Sequence, residues 1–212
     1  MLFIFEVMNL ELSDAIVKRA SVRMFREDPI DDKIIEELIE AAIRAPTASA
    51  LENWIFCIIK DENARKRIFE AIKEGHIFYY KLRGLPEEKL KKLVEKINAG
   101  MYWAPVYIAV FVEKGVKVTS GNSEYDELEL IFAIESASAA IENLMLKAVE
   151  YSLGTCWLGV TTYSEFAKTV CEVCGLDSEK YFLVALIPIG YPAAEVSQRK
   201  RIKGVKDVMK VI

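Results

Sequence analysis

The chain has 212 residues, 52% of them hydrophobic and 28% charged, which suits one domain burying roughly 70% of the unfolded surface and argues against disordered or collagen-like structure. Lys and Arg number 28 against 32 Asp and Glu, a net charge of −4, so a globally basic nucleic-acid binder is not expected. Four cysteines are too few for a disulfide framework, and no run of about 18 apolar residues is free of charge.

The opening Met1-Leu-Phe-Ile-Phe5 lacks the basic stretch of a signal peptide and is broken by Glu6. The expectation is a reducing, cytoplasmic protein with no membrane or nucleic-acid partner, in which residues 1–8 are an accessory segment. Ser13-Asp14 reads as the cap of a short helix ending near Arg19. A second helix opens at Asp31-Asp32 and carries one apolar stripe, Ile34, Ile35, Leu38, Ile39, Ala42 and Ile43, until Pro46 stops it. Trp54–Ile59, aromatic and β-branched, reads as a buried strand, and residues 61–73 as another helix. Gly84-Leu-Pro86 marks a turn before a highly charged helix to Ile97. Tyr79-Tyr80 and Met101-Tyr-Trp103 are either a lid or pocket wall, or aromatic anchors of a mobile surface excursion.

Val106–Val112 is a continuous apolar run and hence a central strand; 115–124 is a loop. From about Ser123 to Ser152 a helix of some 45 Å is predicted, ending at Gly154. Its middle is apolar or small on every side, which a single subunit of this size does not easily cover, so a partner subunit is expected against it. Cys156–Val160 and Phe182–Ile189 complete the strands, with a helix over Tyr163–Val173 between them. The last dozen residues read as a helix or a swapped tail. Strands irregularly separated by helices point to an α+β fold.

Side-chain catalysis is poorly provided for. There is one histidine, His76, and neither a G-x-S-x-G elbow, a phosphate-cradling G-x-x-x-x-G-K-[ST] loop nor a G-x-G-x-x-G turn. One histidine does not build a His-rich zinc site, and no metal is expected. Cys171-Glu-Val-Cys174 lies late in a helical stretch, where it reads as two small buried residues one turn apart rather than a thioredoxin-like motif. An enzyme with this inventory takes its reactivity from a cofactor, and no catalytic side chain is assigned.

Four segments then stand out. They are Lys18-Arg-Ala-Ser-Val-Arg-Met-Phe25 with Pro29-Ile30, and Ala45-Pro-Thr-Ala-Ser-Ala-Leu-Glu-Asn-Trp54. The third is Glu135-Ser-Ala-Ser-Ala-Ala-Ile-Glu-Asn-Leu-Met-Leu146, continuing to Leu153-Gly-Thr-Cys-Trp-Leu-Gly159. The last is Pro188-Ile-Gly-Tyr-Pro192, followed by Arg199 and Arg201. In this order, over nearly the whole chain, they resemble the FMN-dependent nitroreductase family.

The resemblance implies one FMN-binding domain over 1–212. Its fold would have three layers, a mostly antiparallel central sheet flanked by helices, and a long buried helix at a homodimer interface. Residues 199–212 would form a tail embracing the partner subunit. FMN would be the cofactor and NAD(P)H the co-substrate, reducing a small acceptor such as a nitroaromatic, quinone or enone by a ping-pong route. Arg19, Ala20, Ser21, Arg199 and Arg201 match phosphate-binding positions, suited to a dianion by charge and hydrogen bonding. Arg23 matches a basic position beside the flavin ring, where a cation favours the reduced anion. On the residues alone, Arg19 and Arg23 also suit a solvated helix end, and Arg199-Lys-Arg201 a solvated loop or an RNA-contacting patch.

Pro46, Thr47, Ala48, Ser49 and Ala50 match a loop that reaches the flavin from the other subunit, but Ala50, Glu52 and Asn53 stand where the family has Asn, Gln and Pro. Gly159, Val160 and Thr161 match the segment whose backbone approaches flavin N5 and O4. The departures at 50–53 keep two alternatives in view. One is a specialised flavoenzyme of the same fold, such as a dehalogenase, a flavin-fragmenting enzyme or a heterocycle dehydrogenase. The other is a non-catalytic FMN-binding protein.

Overall fold

The computed structural model describes residues 11–116, 122–198 and 200–212. The accessory segment 1–8, part of the 115–124 loop and Arg199 lie outside the described residues. Among the described residues, six α-helices and four strands follow in the order α1 (Leu12–Lys18), α2 (Asp32–Ile43), β1 (Trp54–Ile59), α3 (Glu62–Leu82), α4 (Glu87–Asn98), β2 (Val106–Glu113), α5 (Ser123–Glu150), β3 (Gly154–Thr155), α6 (Ser164–Cys174) and β4 (Tyr181–Gly190).

The sheet has the order β1-β2-β4-β3, with every pairing antiparallel. Alternation along β2 divides the core into two. Val106, Ile108, Val110 and Val112 face α2 and α5, whereas Tyr107, Ala109 and Phe111 face the layer of α3, α4 and α6. Opposite Val110 and Phe111, β4 inserts an extra residue, Val184. This bulge leaves Val184 and Ala185 consecutively on the α2/α5 side before alternation resumes. The result is the expected α+β, three-layer arrangement of helices, sheet and helices.

Helix α2 begins where expected, with the Asp31 side chain accepting from the Lys33 backbone N–H. Helix α1 starts earlier than the Ser13-Asp14 cap implied: Glu11 is its N-cap, and Asp14 sits in the first turn. Strand β1 has the predicted limits but is not fully buried. It pairs only with β2, so as an edge strand it leaves Trp54–Cys57 half-buried and Ile58 exposed.

The predicted strand Cys156–Val160 is a correction. Only Gly154–Thr155 is strand, with a single bridge at Leu158. Cys156 N–H donates to Pro188 C=O at 3.3 Å, but Pro188 has no N–H to return, so the ladder frays there. Helix α3 runs on through Gly75, His76 and the tyrosine pair to Leu82, nine residues beyond the expected end at 73.

Within one chain α5 is covered on one side only. Ala133, Ala137, Ala140, Ile141, Leu144 and Ala148 are buried against α2 and the sheet, while Leu128 and Ile131 are 44% and 45% exposed. The final residues form a single short turn at Val205–Asp207, with Ile202, Val205, Val208, Val211 and Ile212 all exposed. Among the described residues, no helix is long and apolar enough to cross a membrane.

Candidate functional site

An extended arm, residues 19–26, leaves α1 and is fastened to the sheet's far edge. Val22 N–H donates to Thr155 C=O at 2.9 Å, Arg26 N–H to Tyr191 C=O at 2.8 Å, and Ala193 N–H to Met24 C=O at 3.0 Å. Two glycines make this approach possible. A β-carbon at Gly154 would stand 2.6 Å from Val22 Cβ, and one at Gly190 would stand 2.8 Å from the Pro105 ring. Any larger residue at either position displaces the arm.

The arm lines an open cavity of about 440 Å³, formed by Lys18, Arg19, Ala20 and Val22 on one side and Gly154, Thr155, Pro192 and Glu195 on the other. A smaller cavity of about 200 Å³ continues along Ser21–Met24 and Ala194–Ser197. Arg19, largely buried, pairs through Nε with Glu142 of α5 at 3.3 Å. Gln198 donates from its side-chain amide to Lys18 C=O.

Arg23 is exposed, and its Nη1 donates to Ser21 C=O at 3.0 Å. Behind it lie the Cys156 thiol, Tyr102 and His76. Burial pushes the Cys156 thiol up, against the pull of Arg23 and Ser21. Burial likewise raises the Tyr102 phenol, with Arg23 opposing. His76 is buried, stacks on Tyr102 with ring centroids 4.8 Å apart, and shares a 2.9 Å hydrogen bond between Nδ1 and Ile72 C=O. Desolvation lowers its pKa, which keeps the ring neutral at pH 7.

Met101–Trp103 therefore form a packed wall and not a mobile excursion. Tyr102 N–H donates to Arg23 C=O at 2.7 Å. Trp103 lies under the Arg65 guanidinium, 4.7 Å from its ring centroid, and donates its indole N–H to Glu27.

The predicted segment Gly159–Thr161 begins three residues after Cys156, where the β3 ladder frays. A β-carbon at Gly159 would meet no atom within 4 Å, so the backbone there faces open space. Val160 is held from behind by α3: a β-carbon at Gly75 would sit 2.9 Å from the Val160 carbonyl oxygen. Thr161 is fully buried, and its hydroxyl has no hydrogen-bond partner among the described residues. An unsatisfied buried hydroxyl costs about 1–3 kcal/mol, and the usual resolution is a ligand or water that completes it.

Residues 46–50 lie apart from these two segments, and neither cavity at the arm is lined by them or by 159–161. Their turn is anchored on α5, where Ala48 N–H donates to Ser136 Oγ at 3.1 Å and Ser136 Oγ donates to Phe132 C=O at 2.7 Å. Ser49, Ala50 and Glu52 adopt φ of 53°, 51° and 43°. Three non-glycine residues in the left-handed region within four positions store roughly 1–2 kcal/mol each. Of the C-terminal cations, Arg201 is exposed and joins no cavity described at the arm.

The structure thus brings Arg19, Ala20, Ser21 and Arg23 together, sets Gly159–Thr161 beyond Cys156, and places 46–50 outside the cavities at the arm. Sequence reasoning missed Glu142 and Gly75. Glu142 lay inside a quoted motif, but nothing in its spacing announced a pairing across 123 positions with Arg19. An exposed cationic arm, an open glycine and an orphaned buried hydroxyl suit a ligand with an anionic end and a hydrogen-bonding planar end, and FMN has both.

Fold and site together define an α+β domain with an open groove along the edge of an antiparallel sheet. The chain belongs to the nitroreductase family, whose model matches residues 16–191. It is 30% identical over 199 residues to iodotyrosine deiodinase 1 of Rattus norvegicus, covering 90% of this chain and 66% of that protein. The chain thus spans just under two thirds of the deiodinase's length. It is 26% identical over 198 residues to an NADH dehydrogenase of Thermus thermophilus, covering 88% and 89% of the two chains. Among solved structures it is similar to a BluB-like flavoprotein from Clostridium difficile 630, with a TM-score of 0.73, 28% identity and coverage of 96% and 100%.

Proposed function

We propose that the protein is a cytoplasmic, homodimeric, FMN-dependent oxidoreductase that takes reducing equivalents from NAD(P)H and delivers them to a small organic acceptor. The observation that carries this reading is the arm, which concentrates Lys18, Arg19, Ser21 and Arg23 beside a groove, next to a segment with an open glycine and a buried, unpartnered hydroxyl. All four cysteines are free thiols, which agrees with a reducing compartment.

Arg19 and Ser21 would hold the FMN phosphate, with Glu142 keeping the guanidinium in place while competing for part of its charge. Arg23 would set a positive charge beside the ring system, and Gly159–Thr161 would offer backbone N–H groups and the Thr161 hydroxyl to its polar edge. When bound, FMN supplies the chemistry, taking a hydride at N5 and returning electrons to the acceptor. The chain's own residues bind, orient and balance charge. His76, the one histidine, is taken up by its stack with Tyr102 and its bond to Ile72.

The other subunit would bring residues 46–50 over the flavin, which gives a reason for the strain at Ser49, Ala50 and Glu52. Residues 199–212 would wrap that subunit, with Arg199 and Arg201 joining the phosphate site. A dehalogenating reaction is the second reading for the acceptor. It is favoured by the 30% identity to a deiodinase and by Ala50, which removes a polar contact from the loop.

The test is anaerobic mixing of FMN-reconstituted protein with NADH or NADPH, followed by a nitroaromatic, a quinone or a halotyrosine. Bleaching of the visible flavin band by a nicotinamide and rapid reoxidation by the first two acceptors is the expected result. Bleaching only by a chemical reductant, with reoxidation by the halotyrosine alone, selects the second reading, and a flavin that no nicotinamide or acceptor alters overturns both.

A further inference from the structure

Cys174 ends α6, and Cys57 lies in the half-exposed edge strand β1; the two line one surface cavity of about 340 Å³ together with Lys60 and Asp61. Both side chains also pack against the same apolar cluster. Cys171, one turn earlier in α6, is buried and lines a different cavity with Lys114 and Ser178. The C-x-x-C spacing therefore does not make a pair within the helix. The partner of Cys174 comes from the sheet.

We propose that Cys57 and Cys174 are a dithiol site that low-molecular-weight disulfides oxidise to an internal disulfide, cross-linking β1 to the end of α6. The reaction is ordinary thiol–disulfide exchange. The Cys57 thiolate attacks one sulfur of the small disulfide, forming a mixed disulfide and releasing one thiolate. Cys174, deprotonated, then attacks the Cys57 sulfur and expels the second. The protein loses two protons and two electrons, and the small disulfide leaves as two thiols carrying both.

The order of attack follows from the local chemistry. The hydrogen bond from Cys174 pulls the Cys57 thiol below its ordinary range, and the same bond, with burial, pushes Cys174 up. Cys57 is thus the more acidic thiol of the pair and the first to attack. Neither residue belongs to the arm or to the 159–161 segment, so the site stands or falls independently of flavin binding.

The experiment treats the purified full-length protein with glutathione disulfide, blocks remaining thiols and maps peptides by mass spectrometry. The expected product is two hydrogens lighter, carries a Cys57–Cys174 linkage that dithiothreitol reverses, and melts several degrees above the reduced protein. Cys57→Ser and Cys174→Ser each abolish the internal linkage, and Cys171→Ser retains it. A Cys171–Cys174 linkage, a bond between chains, glutathione adducts without ring closure, or an unmodified protein would each overturn the proposal. The wild-type map decides the matter even if a variant fails to fold.

Discussion

At the scale of single residues, the arm and the buried hydroxyl make the sharpest claims. Arg23 is exposed, and its side chain contacts only Ser21 C=O and the Tyr102 phenol, so Arg23→Ala leaves the fold intact. Loss of one charge-assisted contact of about 1.5–3 kcal/mol weakens FMN binding roughly 10- to 100-fold, measured by quenching of flavin fluorescence. Arg23→Lys restores most of the affinity. Thr161→Val separates stability from binding. In the FMN-free protein it removes an unsatisfied buried polar atom and so holds or raises stability, whereas FMN affinity falls if that hydroxyl is a flavin contact. A uniform loss of stability with unchanged affinity would contradict this.

His76 sets a pH dependence. Its folded-state pKa lies below the ordinary 6.5 because burial disfavours the cation, with the Ile72 carbonyl opposing and the nearby Arg23 charge adding to the depression. The unfolded chain therefore binds the proton first, and stability falls as pH drops below about 6.5 towards the folded-state value. His76→Phe flattens that limb in urea melts across the same range, leaving only the carboxylate contribution at lower pH. A limb of unchanged steepness would show that His76 is not buried neutral.

At the scale of elements, two placements carry the site. Helix α3 holds the 159–161 segment through the glycine gap at position 75, and Gly75→Ala tests it. Alanine improves helix propensity by up to about 1 kcal/mol, but its methyl group would stand 2.9 Å from the Val160 carbonyl oxygen, and that backbone has to move. The expected outcome is an α3 of undiminished helicity with several-fold weaker FMN binding. Unchanged affinity would show that Val160 does not help to set the site.

The 48–52 turn gives a second element-scale test. At Ala50, with φ of 51°, glycine relieves about 1–2 kcal/mol of left-handed strain and gives back about 0.4–1 through the freer unfolded chain. Ala50→Gly is therefore neutral to mildly stabilising, read as the urea midpoint. Marked destabilisation would mean that the turn is not strained.

These elements also show where the sequence was readable. The α2 stripe, the β1 limits and the apolar β2 run appeared with nearly the right boundaries because their periodicity is local and strong. Strand 156–160 did not, because its failure depends on Pro188 of another strand lacking an N–H. The continuation of α3 through Gly75 was hidden because a helix-interior glycine looks like a breaker until its neighbour, Val160, is known. Arg19, Ser21 and Arg23 were found through a family pattern. Glu142 and the Cys57–Cys174 pairing are products of tertiary contact, which no spacing rule reports.

At the scale of the whole molecule, the account turns on surfaces that one chain leaves uncovered. Leu128 and Ile131 of α5, Ile16 and Val17 of α1 and the apolar residues of 202–212 are exposed together, more than a soluble monomer ordinarily presents. In the proposed homodimer they would be covered, so light scattering should give twice the chain mass, and deletion of residues 200–212 should shift the population towards monomer and weaken FMN binding. A truncated chain that remains a tight, flavin-binding dimer would remove the tail from both roles. The most direct test of the central claim is a crystal structure of the protein grown with FMN. The account predicts phosphate density at Arg19 and Ser21, with the ring system beside Arg23 and along Gly159–Thr161. Flavin bound elsewhere, or an empty groove at saturating FMN, would contradict it.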